Sequence, residues 1–131
     1  MADTRILADT SIIIDFLRKK KKNKSALWNI KEISTCFMSS ITLFELLSGA
    51  KHERHFEDIK RISNWVETIY FDDEIADLSA MIYRNLKKRN QLIEFRDIFI
   101  AATAKYHNLC LATLNVKHFE RIENLTIFDI S

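Results

Sequence analysis

One glycine and no proline occur in 131 residues, and that shortage limits the folds open to the chain. Tight hairpins draw on glycine for their positive-φ turn positions, so hairpin-dense all-β architectures are excluded. Collagen-like and proline-rich chains are excluded for the same reason. Hydrophobic residues make up 47% of the chain and charged residues 29%, a balance that rules out a disordered protein. At this length the chain is read as one domain over residues 1–131, with a core that needs no covalent staples.

Lysine and arginine number 20 against 18 aspartates and glutamates, a net charge of +2. So small a surplus does not mark a nucleic-acid binder, and any such case must come from local charge. Cys36 and Cys110 are each flanked by apolar residues, which points to reduced thiols and not to a disulfide scaffold. No apolar run reaches the roughly 18 residues of a membrane span, and no basic-then-apolar leader opens the chain. The expectation is a soluble, cytoplasmic protein with no membrane partner.

Short apolar runs alternate with stretches of helical period. Arg5–Ala8, Thr35–Ser39, Leu109–Ala112 and Leu125–Phe128 read as four strands. Ile12–Leu17, Ser25–Lys31, Thr42–Lys51 and Phe95–His107 read as helices. Phe56, Ile59, Ile62, Val66 and Ile69 recur every three or four residues and predict one amphipathic helix, and Ile75, Leu78, Ile82 and Leu86 predict another. Short apolar strands separated by helices predict an α/β fold, a mostly parallel sheet with both faces covered. In such sheets ligands bind beyond the carboxyl ends of the strands.

Polar residues gather at those ends. Asp9 follows the first strand, Glu45 lies early in the helix after the second, Asp97 opens the Phe95–His107 helix, and Asn115 follows the Leu109–Ala112 strand. Each has a plain alternative: Asp9, Thr10, Ser11 or Asn115 as a helix cap, Thr42–Glu45 as a capping box, Asp97 as a first-turn acid. Capping explains the residue types but not their apolar flanks. Carboxylates set in core are costly unless a cation or hydrogen bonds compensate them. Three carboxylates and an amide form an all-oxygen set suited to Mg²⁺ or Mn²⁺ and not to zinc.

The segments around these residues resemble the PIN-domain ribonucleases, in particular the VapC-type toxins of toxin–antitoxin pairs. Leu7-Ala8-Asp9-Thr10-Ser11 matches the opening strand and first acid, and Ser40–Ala50, with Gly49, resembles an S-x-T-x-x-E-L-x-x-G helix start. Asp97–Ala104 matches D-x-x-I-A-A-x-A, and Leu111–Ile122 resembles the closing A-T-x-N-x-x-H-F-x-x-I segment. The resemblance implies a three-layer α/β/α sandwich and a Mg²⁺- or Mn²⁺-dependent endoribonuclease that cleaves single-stranded or loop RNA with metal-activated water. It also implies a homodimer and inhibition by a cognate antitoxin.

Carried over by position, Asp9, Glu45 and Asp97 fall on the metal-site acids, and Asn115 on the fourth site position. Thr10, Ser11 and Thr113 stand beside them, and Glu94 lies where relatives often carry another acid. Leu27, Trp28, Ile30, Leu46 and Leu47 fall in the region implied to form the antitoxin groove. Three places depart from the pattern: Asn115 stands where many PIN domains have Asp, although the toxin subgroup often has Asn, Arg89-Asn90-Gln91 replaces a glycine ahead of the third acid, and Leu114 stands where a basic residue is common.

Arg18, Lys19, Lys20, Lys21, Lys22 and Lys24 form a dense basic run, read either as a solvated loop or as a patch that tracks RNA phosphates. His52 and His55 lack a third ligand and read as a surface pair rather than a zinc site. Trp28, Trp65 and Tyr70 read as core or interface residues. A haloacid-dehalogenase-like phosphotransferase would need a second Asp where Ser11 stands. A receiver-type signalling domain would need an acidic pair at the first strand end, which is absent. The remaining alternative to a nuclease is a catalytically inactive PIN fold that only binds RNA or protein.

Overall fold

Consecutive strands are joined by helices, never by hairpins, throughout the residues described, 4–130 of a computed structural model. From β1 (Thr4–Ala8) the chain passes through α1 (Thr10–Arg18) and α2 (Ala26–Ile33) to β2 (Ser34–Ser39). It continues through α3 (Ser40–Gly49) and α4 (Glu53–Ile62) to β3 (Val66–Ile69). From there α5 (Asp73–Lys88) and α6 (Phe95–Tyr106) lead to β4 (Cys110–Ala112), and α7 (Val116–Phe119) follows. All pairings are parallel, in the order β3-β2-β1-β4.

The two-residue alternation of a strand divides the core. Ile6, Ala8, Cys36, Met38 and Ala112 face one side and pack on Ile12, Ile13 and Phe16 of α1, Leu27 and Ile30 of α2, and Ile59 and Ile62 of α4. Leu7, Phe37 and Leu111 face the other side and pack on Ile75, Ile82 and Leu86 of α5, Ile98 of α6 and Phe119 of α7. Helices thus cover both faces of the sheet, the expected α/β/α sandwich. Cys36 and Cys110 flank Ile6 in register, two strand spacings or roughly 10 Å apart. That separation is too great for a disulfide, and both thiols are free.

Asparagine takes the turn role that scarce glycine leaves open. Among the described residues the positive-φ positions are Asn90, Asn108 and Asn124, at 56°, 55° and 60°. Asn90 and Asn108 stand just past the ends of α5 and α6. There Gln91 N–H donates to Leu86 C=O and Leu109 N–H to Ala104 C=O, both at 2.8 Å, closing each helix with a six-to-one bond.

Three expectations need correction. The apolar spacing from Phe56 to Ile69 is not one helix: α4 stops at Ile62 and Val66–Ile69 forms β3, since β-branched residues pair well against Cys36–Ser39. Leu125–Phe128 is not a full strand; it contributes one bridge, Leu111 to Ile127. The capping box at Thr42–Glu45 does not form, because α3 begins two residues earlier with the Ser39 side chain accepting from Ile41 N–H.

Candidate active site

Strand order decides where polar groups can converge. The chain builds outward from β1 to β2 to β3, then returns to lay β4 on the opposite side of β1. The crevice beyond β1 and β4 is therefore the topological switch point, where open α/β sheets bind ligands. Asp9 leaves β1 there, and its N–H donates to Ala112 C=O at 2.9 Å, tying the two strand ends together.

Asp9 is buried and held from three directions. Its Oδ1 accepts from Thr10 N–H at 2.8 Å, while Oδ2 accepts from Ser11 Oγ at 2.9 Å and from Thr113 Oγ1 at 2.7 Å. It caps α1, as one sequence alternative held. The cap bond occupies one oxygen, so the capping role and a place in the site are compatible. Thr113 is itself buried, and its Oγ1 also accepts from Asn115 N–H at 2.9 Å, linking Asp9 to the turn that carries Asn115.

Glu45 enters from α3. Its Oε1 accepts from Thr10 Oγ1 at 2.7 Å, and Thr10 Oγ1 lies 3.0 Å from Oγ1 of buried Thr42. Its Oε2 pairs with Arg96 Nη1 at 2.9 Å. Asp97, on the first turn of α6, is 7% exposed, with Oδ2 3.1 Å from His118 Nδ1. Burial, then the nearby Asp9 charge, push the Asp97 carboxyl above its ordinary range, against the opposing pull of His118 and Arg96.

Asp9, Glu45, Asp97 and Asn115 line one cavity of about 470 Å³ with Thr10, Ser11, Ile14, Phe44, Ser48 and Arg96. Thr113 stays beneath it as Asp9's buried support. The Asn115 side chain makes no capping bond to α7, so the cap alternative does not account for it. Glu94 does not join the lining; it is exposed, and its carboxylate accepts from Arg96 Nε at 3.0 Å. Arg96 is the cavity residue that the sequence reading did not single out, whereas His118 belongs to the closing H-F segment and hydrogen-bonds there to Asp97. Arg96's one signal is its place directly before Asp97.

The basic run separates into parts. Arg18 and Lys19 line an adjoining cavity of about 460 Å³ that shares Ser11, Ile14 and Asn115 with the first, and Lys19 also pairs with Asp15 at 3.6 Å. Lys20, Lys21 and Lys24 are exposed. Lys22 contradicts an RNA-tracking role, because its ammonium folds back to the carbonyls of Phe16 and Leu17 at 2.7 and 2.8 Å and lies over the Phe16 ring. There it closes the α1 C-terminus, where a cation is favoured.

The antitoxin-groove expectation also narrows, since Leu27, Ile30 and Leu46 are buried core residues while Leu47 is exposed. Trp28 and Trp65 pack edge to face at 6.2 Å, whereas Tyr70 stands 76% exposed. His52 and His55 form a stacked pair.

The PIN-domain family model matches residues 6–125, from within β1 to past the end of α7. This chain belongs to the PIN-domain family. Within it the likeness is to the VapC type. Ribonuclease VapC1 of Methanocaldococcus jannaschii is 35% identical over 129 residues, covering 97% of this chain and 89% of that protein. The tRNA(fMet)-specific endonuclease VapC of Shigella flexneri is 27% identical, covering 97% and 98%. The crystal structure of DNA-bound VapBC from Salmonella typhimurium superimposes with a TM-score of 0.85 at 25% identity, covering 98% of this chain and 99% of that one. This PIN fold is therefore shared along almost the full length of VapC proteins. Among its described residues no helix is long and apolar enough to cross a membrane.

Proposed function

We propose that the chain is a divalent-metal-dependent endoribonuclease toxin of the VapC type, acting on single-stranded or loop RNA and restrained by a cognate antitoxin. A homodimer in the cytoplasm is part of the same proposal. The observation that carries it is the cavity at the β1/β4 switch point, into which Asp9, Glu45, Asp97 and Asn115 converge from four separate elements. The ribonuclease and endonuclease names of the curated relatives and the VapBC assembly of the structural neighbour support the reading.

The donor set fits Mg²⁺ or Mn²⁺. Asp97 and Asp9 repel each other across a partly desolvated space, and a divalent cation relieves that repulsion. Among the described residues no three His, Cys, Asp or Glu side chains converge tightly enough to cage an ion. Magnesium does not need such a cage, since it takes one or two carboxylates and keeps several waters. Asp9 and Asp97 would hold the cation, with Glu45 acting directly or through water and Asn115 adding a neutral amide. When bound, such a cation neutralises charge on phosphate oxygens and lowers the pKa of water.

The chain's own residues supply the positioning. Thr10, Ser11 and Thr113 fix the Asp9 carboxylate from below. His118 holds Asp97 Oδ2, leaving Oδ1 for the cavity. α1 and α3 begin at this edge, and the positive ends of their dipoles favour a phosphate.

Purified, antitoxin-free protein is expected to cleave RNA in Mg²⁺, to stop in EDTA and to resume when Mg²⁺ is restored, leaving 5′-phosphate ends. Cleavage that survives chelation would exclude the proposal. RNA binding without cleavage under any divalent ion would favour an inactive binding module.

A further inference from the structure

The cavity has an electrostatic problem that the carboxylates create: its lining holds three acids, and an RNA phosphate must approach them. Arg96 is the one cationic side chain in that lining. Its guanidinium is held in place by two ion pairs, Nη1 to Glu45 at 2.9 Å and Nε to Glu94 at 3.0 Å, yet remains 54% exposed. Those two bonds use only part of a five-donor fork, and Nη2 makes neither of them. Burial works against its charge, but Glu45 foremost, with Glu94 and Asp97, holds it protonated.

We infer that Arg96 is the phosphate-binding residue of the site: its guanidinium rests on Glu45 in the metal-free protein and turns to an RNA phosphate when a divalent cation takes Glu45. The inference rests on the nuclease reading above and adds a specific contact to it. Glu94 then has a role of its own. It lies outside the cavity and tethers Arg96 Nε, so the fork stays at the rim while its other nitrogens change partner. Arginine suits the task because its planar fork matches phosphate oxygens in pairs.

Two binding measurements test this without relying on turnover. The first uses anisotropy of a short fluorescein-labelled single-stranded RNA with otherwise wild-type protein in Ca²⁺, a divalent cation that takes oxygen ligands, as a function of salt. Adding Arg96→Ala is expected to weaken RNA binding about tenfold and to flatten the log–log salt slope by about 0.7, one phosphate contact. Arg96→Lys, which keeps the charge without the fork, is expected to fall between. The second titrates Mn²⁺ into otherwise wild-type protein without RNA, where Arg96→Ala is expected to bind Mn²⁺ several-fold more tightly because a competing cation has been removed. Unchanged RNA affinity and salt slope would overturn the inference. So would weaker Mn²⁺ binding, which would make Arg96 a brace for Glu45. Neither result depends on cleavage, so failure here is distinguishable from a wild-type protein that cuts no RNA.

Discussion

Asp97→Asn is expected to lower RNA cleavage on the order of 10³-fold while raising the Tm of the metal-free protein at neutral pH. The rate loss follows from removing one of the two carboxylates assigned to the cation, whose charge stabilisation is worth several kcal/mol. The gain in stability follows from the surroundings of Asp97. Burial and the Asp9 charge both oppose its ionisation, and an amide removes that conflict while still offering His118 Nδ1 a partner.

The pH dependence has a definite sign. A carboxyl whose pKa is raised by folding binds its proton more tightly folded than unfolded. Its contribution to stability is therefore fully present at acidic pH and lost as pH climbs from the ordinary carboxylate range through the raised folded value. The Tm advantage of Asp97→Asn should accordingly be seen at pH 7 and vanish under acid conditions where both forms are neutral. Thermal melts across pH, paired with cleavage assays, check both halves. Cleavage within tenfold of wild type, or a lower Tm at pH 7, would contradict this account of Asp97.

Phe119→Ala is expected to cost about 3–5 kcal/mol, a drop in Tm on the order of 10–20 °C. Phe119 is fully buried among Leu111, Ile98 and the other residues of the second core. It anchors α7, only four residues long, which cannot hold itself together by its own hydrogen bonds. Asn115 precedes this helix and His118 sits within it against Asp97. The cavity left by the ring should loosen both, so cleavage should fall in protein that is still folded below its lowered Tm. Denaturation followed by circular dichroism measures the first effect. A Tm loss under about 3 °C would show that α7 is anchored elsewhere.

The parts of the fold visible in the sequence are those with an unambiguous period. The apolar run before Asp9 and the Ile75–Leu86 stripe leave no competing reading, and they form β1 and α5. β3 was hidden because Ile62, Val66 and Ile69 keep the three-to-four spacing of α4 across the short turn at Ser63–Trp65. A helical stripe and a β-branched strand placed end to end share one pattern there. Leu125–Phe128 is apolar enough for a strand, but only Ile127 bridges to Leu111.

The site divides along the same line. Asp9, Glu45, Asp97 and Asn115 could be singled out as candidates because polar groups beside core residues need a reason, and they line one cavity. Arg96 could not be singled out, since a charged residue at a helix start is ordinary until its partner, 51 positions away in Glu45, comes within 2.9 Å. Composition likewise made all of Arg18–Lys24 look alike. Only the fold shows Lys22 turned inward to the end of α1.

Titrating Mn²⁺ into the antitoxin-free protein by calorimetry, wild type beside Asp9→Asn and Asp97→Asn, bears most directly on the cavity as a cation site. Wild type is expected to bind the ion, and each variant to bind at least about tenfold more weakly, since each loses one anionic ligand. Equal affinity in all three proteins would place the ion elsewhere and contradict the account.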